Sequence, residues 1–303
     1  MEQTLLLTGA SGFIGSHVRQ ALRERGVPVR VMARGPAGGQ EAVRGDLADA
    51  ASLRGVCEGI TTLVHAASAI SGDRAWCQAV NERGTAALMA EARRAGVARI
   101  IYLGTAAVYG DGVHRYLAED AVAPAPVSPT SRSRLAAEHA VRAAGGTVLR
   151  PLFVYGAGDR WFVPALSRIA AQVGARIEGG RARLSVISVH ALAEAVCALA
   201  TRPGDELADT VLHAAHPEPV ALAELLAVLA EHALAPALTR DISYPQATSA
   251  WNDDAGRLSL ISFDHFYDSS RLWDAVGPLH GAGFREAFPR YAAWYRDSAP
   301  AGA

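Results

Sequence analysis

The sequence contains no lysine, since all 29 residues of the Lys and Arg class are arginine. No site in this chain can therefore use a lysine side chain. Cysteine is also scarce: Cys57, Cys77 and Cys197 lie far apart along 303 residues. Such a small, odd and widely spaced set argues against a disulfide framework and a zinc site. It favours packing roles in a reducing compartment.

Excess charge of either sign and long apolar runs are also lacking. The net charge is −1 and the pI is near 6.8, so no basic surface for nucleic acid or for an anionic membrane is indicated. The N-terminus has no basic region followed by a long apolar stretch, and the apolar run at 221–230 is interrupted by Glu224. We therefore expect a cytoplasmic protein that binds a small molecule, without nucleic-acid or membrane partners.

A glycine-rich loop follows the first apolar segment. Residues 5–15 read LLLTGASGFIG, a short strand that continues into Gly9, Gly12 and Gly15 and then into a helix. In a nucleotide-binding loop the first glycine permits a tight turn, the second lets the backbone approach a pyrophosphate, and the third lets helix pack on strand. The helix N-terminus then faces the anion. Glycines also serve ordinary turns, so the triplet by itself is a weak signal.

Strands and helices alternate through the first half of the chain. The pattern predicts strands at 4–8, 29–33, 62–65, 99–103 and 147–149, and helices at 12–25, 75–95 and 131–144. This order is typical of an α/β fold, a Rossmann-like doubly wound parallel sheet with its ligand at the C-terminal strand ends. We predict a dinucleotide-binding domain over 1–150 and a smaller α/β substrate-binding region over 151–303, interleaved with the first. Half of the residues are hydrophobic, which suffices for a large core.

Several motifs occur in a characteristic order: TGASGFIG at 8–15, GDL at 45–47, HAAS at 65–68, VNERGT at 80–85, TAAVYG at 105–110 and RPLFVYG at 150–156. With the tail YDSSR at 267–271, this series resembles the extended short-chain dehydrogenases/reductases, which include NAD(P)-dependent epimerases, dehydratases and reductases. The resemblance covers nearly the whole chain. It implies a Rossmann fold and a nicotinamide cofactor, and pairing into a homodimer through helices 75–95 and 131–144.

The resemblance also implies a cofactor site. Its predicted members are Gly9, Ser11, Gly12, Phe13, Ile14, Gly15, Arg34, Asp46, Leu47, His65, Ala66, Ala67, Arg134 and Pro151. The glycine loop would hold the pyrophosphate through backbone N–H groups. Asp46 would bond the adenine and Leu47 would pack on it, while the alternative for Asp46 is the N-cap of the following helix. Ala66 and Ala67 would leave room for the dinucleotide.

The choice between NAD and NADP can be argued from charge. An NAD site offers an acidic residue about 20 positions after the loop, whereas an NADP site offers arginine for the 2′-phosphate. The second strand ends in Val31-Met32-Ala33-Arg34, with no acid. We therefore predict NADP rather than NAD, with Arg34 on the 2′-phosphate. The alternative is a solvated arginine at a strand end.

The expected reaction centre departs from the family pattern. The family uses a tyrosine as acid and base, a lysine four positions later, and a serine or threonine that polarises the substrate oxygen. Thr105 keeps the last role, but alignment of PTSRSRLAAE at 129–138 with PYxxSKxxxE places Thr130 at the tyrosine and Arg134 at the lysine. Arg134 retains a charge and donors for the ribose, whereas the Thr130 hydroxyl is a far weaker acid than a phenol.

Other side chains could supply the proton. Tyr116 and His114 lie in the segment after Thr105, where family enzymes contact substrate, although both could be exposed loop residues. Tyr109, Tyr155 and His65 fall within motifs and could instead pack or line the cleft. A substrate anion could meet Arg160, Arg181 or Arg183 beside Trp161, or these could be solvated or core residues. The acidic residues and histidine at 264–268 fit no zinc spacing, so we predict no metal site.

Three functions remain open from the sequence. The first is an NADP(H)-dependent reductase, dehydratase or epimerase acting on a small-molecule carbonyl or hydroxyl with an atypical proton donor. The second is a non-redox enzyme of the same fold, a cyclase, dehydratase or isomerase. The third is a nucleotide-responsive binding protein. Thr105 and the glycine loop favour the two enzymes over the third function.

Overall fold

A computed structural model describes residues 4–35, 41–204, 206–251 and 255–298 of the chain. Its strands are β1 (Leu5–Thr8), β2 (Val29–Ala33), β3 (Ala42–Arg44), β4 (Thr62–His65), β5 (Arg99–Leu103), β6 (His114–Leu117), β7 (Thr147–Arg150), β8 (Phe153–Tyr155), β9 (Arg176–Ile177), β10 (Arg183–Leu184), β11 (Val186–Ser188), β12 (Val211–His213), β13 (Val220–Ala221), β14 (Asp241–Ile242) and β15 (His265–Tyr267).

The helices cover both faces of the main sheet and build the second region. They are α1 (Phe13–Glu24), α2 (Arg74–Cys77), α3 (Thr85–Arg94), α4 (Pro129–Ala143), α5 (Phe162–Val173), α6 (Val189–Thr201), α7 (Leu222–Glu231), α8 (Tyr244–Ala250), α9 (Ala255–Ser262), α10 (Ser270–Val276), α11 (Phe284–Ala287) and α12 (Pro289–Ser298). Helices α11 and α12 are separated at Phe288, directly before Pro289.

Seven parallel strands form the main sheet in the order β12-β7-β5-β4-β1-β2-β3. The predicted α/β doubly wound fold is confirmed. The order reverses beside β1, which pairs with β2 on one side and β4 on the other. Crossover helices exclude water from both faces, so β1 can be apolar throughout, and Leu5, Leu6 and Leu7 are fully buried. The crevice at this reversal is where ligands of such sheets bind.

Two apolar layers hold the helices on the sheet. On one face, α1 and α6 pack together through side chains such as Val18, Leu22 and Val196. On the other face, α3 and α4 bury Leu88 and Val141 against the strands. The result is a three-layer domain whose strand ends are fixed from both sides.

The segment predicted as one helix at 75–95 is helical but not uniform. A π-helical stretch, Gln78–Gly84, separates α2 from α3. Within it Asn81 is buried, and its amide accepts from the Ala69 N–H at 2.7 Å and donates to the Ala69 carbonyl and the Ser133 hydroxyl, both at 2.9 Å. Asn81 therefore ties the loop after β4 to helix α4.

A second region packs a separate apolar core between α5, α7, α11 and α12. Strand β12 comes from beyond residue 150 yet joins the main sheet next to β7. The division at residue 150 and the pairing of two copies stay predictions. Across the described ranges, no helix is long and apolar enough to cross a membrane. All three cysteines are buried as free thiols.

Candidate active site

A cleft of about 460 Å³ opens at the C-terminal ends of the central strands. Its volume falls within the usual range of small-molecule sites. Nine of the residues predicted for the site line it: Gly12, Phe13, Ile14, Gly15, Ala66, Thr105, Thr130, Arg134 and Pro151. The fold thus brings the glycine loop and the predicted reaction centre into one space, although the loop ends at Gly15 and the reaction centre begins at Thr105.

The glycine loop is too tightly folded for side chains. Gly9 has a φ of +71°, and a Cβ there would lie 2.7 Å from the Ala67 nitrogen. A Cβ on Gly15 would lie 2.1 Å from the Gly9 carbonyl oxygen. Helix α1 starts after Gly12 with no side-chain cap and no acidic residue in its first turn. Its N-terminal N–H groups and the positive end of its dipole are therefore available to an anion in the cleft.

The residues predicted for the adenosine end lie outside the described cleft lining. Arg34 is exposed just beyond β2. The Asp46 carboxylate accepts a hydrogen bond from the Ala48 N–H at 2.9 Å. The cap of the following short helix is Asp49, which accepts from the Ala51 N–H, so the N-cap alternative for Asp46 is wrong. Leu47 is buried in the core beneath.

His65 lies under the cleft rather than in it. The ring is fully buried, with Nδ1 2.7 Å from the Thr8 hydroxyl and Nε2 3.0 Å from the Thr85 hydroxyl. Burial, and secondarily the charge of Arg134, lowers the pKa of His65 to about 3. A neutral ring held by two threonines fixes the end of β4 and is no proton donor near neutral pH.

Two buried histidines should make the folded protein less stable at acidic pH. Burial lowers the pKa of His213 to about 4, as it lowers that of His65 to about 3. Below pH 6.5 the unfolded chain binds protons that the folded chain cannot, so stability is present above that pH and falls as pH drops toward 4 and 3. Relative to neutral pH, each histidine should lower the free energy of unfolding at pH 5 by about 2 kcal/mol. Urea titration at several pH values measures this change.

The matched variants for this test are His65→Gln and His139→Gln. His139 is exposed on α4, so its replacement should leave the pH slope as it is. His65→Gln should flatten the slope, because glutamine does not titrate in this range. An unchanged slope in His65→Gln would contradict the assignment.

Thr105 is positioned at the end of β5 with its hydroxyl on the cleft. Its Oγ1 accepts from the Ala107 N–H at 3.2 Å, which leaves the hydroxyl hydrogen for another acceptor. The Ala106 N–H donates to the Pro151 carbonyl at 2.9 Å and ties the two cleft segments together. The hydroxyl can therefore donate to an oxygen bound in the cleft.

Thr130 and Arg134 come from the first turns of α4. The Thr130 hydroxyl lies 3.7 Å from the buried Cys77 thiol. Arg134 donates to the carbonyls of Leu103 and Gly104, the latter at 2.8 Å, and its Nε is buried without a partner in the described part of the chain. The guanidinium thus holds the end of β5 beside Thr105 and places a positive charge there.

The structure does not bring Tyr116 to the cleft. Its ring is 65% exposed on β6, packs edge-on against Phe266, and its backbone has a φ of +46°. Tyr109 and Tyr155 are buried away from the cleft lining, and His114 contacts the Tyr267 hydroxyl at 3.1 Å. The lining, as far as the structure describes it, contains hydroxyl groups but no phenol or imidazole.

Two supporting residues were missed by the sequence analysis. Glu138 and Arg150 form a buried two-point ion pair, and Arg150 also donates to the Tyr109 hydroxyl at 2.6 Å. This pair connects α4, which carries Thr130 and Arg134, to the end of β7. The signal was present, because Glu138 ends the aligned PYxxSKxxxE stretch and Arg150 opens the RPLFVYG motif.

A family model described as the NAD dependent epimerase/dehydratase family matches residues 5–213. The chain belongs to this family. The resemblance to extended short-chain dehydrogenases/reductases is thereby confirmed at the level of family, and the glycine loop, β4 and the Thr105 strand end all fall within the matched span.

Curated relatives and solved structures agree with this membership. The 4-hydroxy-2-methyl-3-oxo-4-farnesyl-3,4-dihydroquinoline-1-oxide ketoreductase of Stigmatella aurantiaca is 32% identical over 221 residues, 66% of each chain, so the match spans about two thirds of that relative. The 2-alkyl-3-oxoalkanoate reductase of Stenotrophomonas maltophilia (strain K279a) is 28% identical over 80% of this chain and 79% of its own. The structure of MoeE5 in complex with UDP-glucose and NAD is 25% identical, with a TM-score of 0.74 over 97% of this chain and 99% of that one.

Proposed function

We propose that this chain is an NADP(H)-dependent oxidoreductase that reduces the carbonyl group of a small molecule. The observation that carries the proposal is the single cleft shared by the α1 N-terminus and the Thr105 hydroxyl. Reduction is favoured over epimerisation or dehydration because the two relatives described above are named as a ketoreductase and a reductase.

The residues present fit a dinucleotide. Gly9 and Gly15 leave no space for a Cβ, which keeps the loop folded against the start of α1, and the uncapped helix end offers N–H donors to a pyrophosphate. Ala66 and Pro151 flank the same cleft with small, apolar surfaces. Bound there, the nicotinamide ring would supply a hydride to the carbonyl carbon.

Thr105 would orient the carbonyl oxygen by donating its hydroxyl hydrogen. As negative charge grows on that oxygen, the nearby Arg134 guanidinium stabilises it electrostatically. We place Thr130 and Arg134 at the positions where the family has tyrosine and lysine. Arg134 keeps the positive charge of the lysine, whereas Thr130 provides only an aliphatic hydroxyl.

The proton requires an unusual route in this cleft. Asp159 is the carboxylate in the described lining, and both of its oxygens are occupied: they accept from the N–H groups of Trp161, Phe162 and Val163 and from the Tyr295 hydroxyl. We therefore assign the final proton to water, relayed through Thr130, whose hydroxyl donates to the substrate oxygen and accepts from water. Tyr116 is not among the described lining residues, so we do not retain it in this role.

The direct test is to incubate the protein with NADPH and a panel of aldehydes and ketones. NADPH oxidation is monitored through the loss of its absorbance. Consumption of NADPH with alcohol formation would support the proposal. The non-redox alternative is favoured by one observation, the lack of a phenol in the described lining. NADPH that binds stoichiometrically and remains unchanged while a substrate is isomerised or cyclised would select that alternative.

Arg34→Ala should weaken NADP⁺ binding while leaving NAD⁺ binding unchanged. Arg34 is exposed at the end of β2, where it can pair with a 2′-phosphate, and loss of one charge-assisted hydrogen bond at an exposed position should raise the Kd for NADP⁺ about tenfold. Titration calorimetry with both dinucleotides measures the effect.

The control for this prediction is Arg30→Ala on the same strand. Arg30 donates to the Glu58 carbonyl at 2.8 Å, at the opposite end of β2. Its replacement should change neither affinity. If the Arg34→Ala variant and the parent protein bind NADP⁺ equally tightly, residues other than Arg34 determine the preference for NADP⁺ over NAD⁺.

A further inference from the structure

Part of the described cleft lining is apolar, and we call this part the slot. One face of α5 forms its wall, with side chains spaced three and four residues apart: Phe162, Ala165, Leu166 and Ile169. Leu260 and Ile261 of α9 also line it. The slot begins next to Phe153, whose ring stacks on Phe162 at a centroid distance of 4.5 Å.

No free cation is found among the described lining residues of the slot. In the described cleft lining the charged residues are Arg134 and Asp159: Arg134 donates to the carbonyls of Leu103 and Gly104 beside Thr105, and Asp159 accepts from the N–H groups that open α5. The described lining side chains along α5 and α9 offer neither a cation nor a hydrogen-bond donor, so a substrate diphosphate lying against them would lose its hydration without compensation.

The arginines considered from the sequence as anion partners lie elsewhere. Arg160 is exposed and absent from the described lining. Arg181 is exposed and pairs with Glu178 at 3.7 Å. Arg183 lies over the Phe266 ring, 5.7 Å from its centroid, and donates to the Pro219 carbonyl. These side chains therefore leave the slot apolar.

The mouth of the cleft is apolar as well. Trp161 and Ile70 both line it, and each is 48% exposed. Large apolar side chains at the rim of a cleft gain free energy when a ligand with apolar surface covers them.

From this lining we infer that the substrate is a carbonyl compound attached to a hydrocarbon chain or ring system, not a nucleotide sugar. The inference rests on the proposed function in that it places the carbonyl at Thr105 and the hydrocarbon along α5. The polar end of the ligand would be held at the strand ends, and its apolar remainder would replace water in the slot.

A homologous series of methyl ketones, from 2-butanone to 2-decanone, tests the inference. Each methylene that enters the slot should tighten binding about three- to fourfold until the slot is filled. Affinity is measured by titration calorimetry on protein saturated with NADP⁺, and KM for NADPH oxidation is measured in parallel. UDP-glucose serves as the nucleotide-sugar probe and should not bind.

Ala165→Trp should remove the chain-length dependence by filling the slot. The matched control is Ala171→Trp, because Ala171 is on the same helix but exposed and outside the described lining. Ala165→Leu is a smaller change. In this variant the gain in ketone affinity per methylene should stop at a shorter chain length than in the parent protein. Thermal unfolding of each variant separates a filled slot from a misfolded protein.

The outcomes separate this inference from the proposed function. Equal affinity for all chain lengths, or tight binding of UDP-glucose, would overturn the inference even if NADPH were consumed with small ketones. A chain-length gain without any turnover would support the slot and contradict the reductase. If no dinucleotide binds, the same titrations on the protein alone still give the chain-length result.

Discussion

Thr105→Ala should lower kcat for carbonyl reduction by about 10² to 10³ while the Kd for NADP⁺ stays unchanged. The Thr105 hydroxyl accepts from the Ala107 N–H, which leaves its hydrogen available to donate to an oxygen in the cleft. Loss of such a donor removes an interaction that strengthens as charge develops. The measurement is steady-state NADPH oxidation together with calorimetric titration of the dinucleotide.

Two further variants separate this donation from the local role of Thr105 as a cap. Thr105→Ser keeps both the acceptor and the donor, and should retain most of the activity. Thr105→Asp keeps an acceptor for the Ala107 N–H but has no hydrogen to donate at neutral pH, so it should be as inactive as the alanine variant. Full activity of Thr105→Ala would mean that another group orients the substrate oxygen.

Arg150→Met should destabilise the folded protein by about 3 to 5 kcal/mol, because it leaves the Glu138 carboxylate buried without its partner. The two side chains are 4% and 1% exposed. Arg150 also donates to the Tyr109 hydroxyl, which lies 2.7 Å from His213 Nε2, so the variant disturbs a chain of buried polar groups. Urea unfolding followed by circular dichroism measures the loss.

The double variant Arg150→Met with Glu138→Met should be less destabilised than the single variant, since no uncompensated charge then remains in the core. Arg142→Met is the control at the surface. Arg142 pairs with Asp209 where both side chains are largely exposed, so its loss should cost at most about 1 kcal/mol. If Arg150→Met alone lowered the free energy of unfolding as little as Arg142→Met does, this would show that water reaches Glu138.

The central strands were the most predictable part of the fold. The strands predicted at 29–33, 62–65 and 99–103 coincide with β2, β4 and β5. The middle of each strand is apolar and buried because helices cover both faces of a parallel sheet. The short strands of the second region were mostly not predicted. Segments of two or three residues such as β9 and β10 have no periodicity of their own and form only where a neighbouring strand is available.

The site was predictable to a similar degree. The glycine loop, Thr105, Thr130 and Arg134 were named from motifs, and the fold brings all of them to one cleft. Tyr116 and His65 show the limit of that reasoning, because a residue next to a motif can face solvent or the core depending on contacts with distant elements. Tyr116 packs on Phe266, and His65 is enclosed by Thr8 and Thr85.

By itself, the sequence determined the α/β architecture, the position of the glycine loop at a strand end, and the absence of lysine. These follow from local spacing and residue identity. Tertiary structure alone decided that Arg134 donates to the carbonyls of Leu103 and Gly104, that Asp159 accepts from the N–H groups that open α5, and that the described cleft lining along α5 is apolar. The physical reason is that the charge of a side chain follows from its residue type. Which of its hydrogen-bonding groups remain without a partner depends on neighbours that only the folded structure supplies.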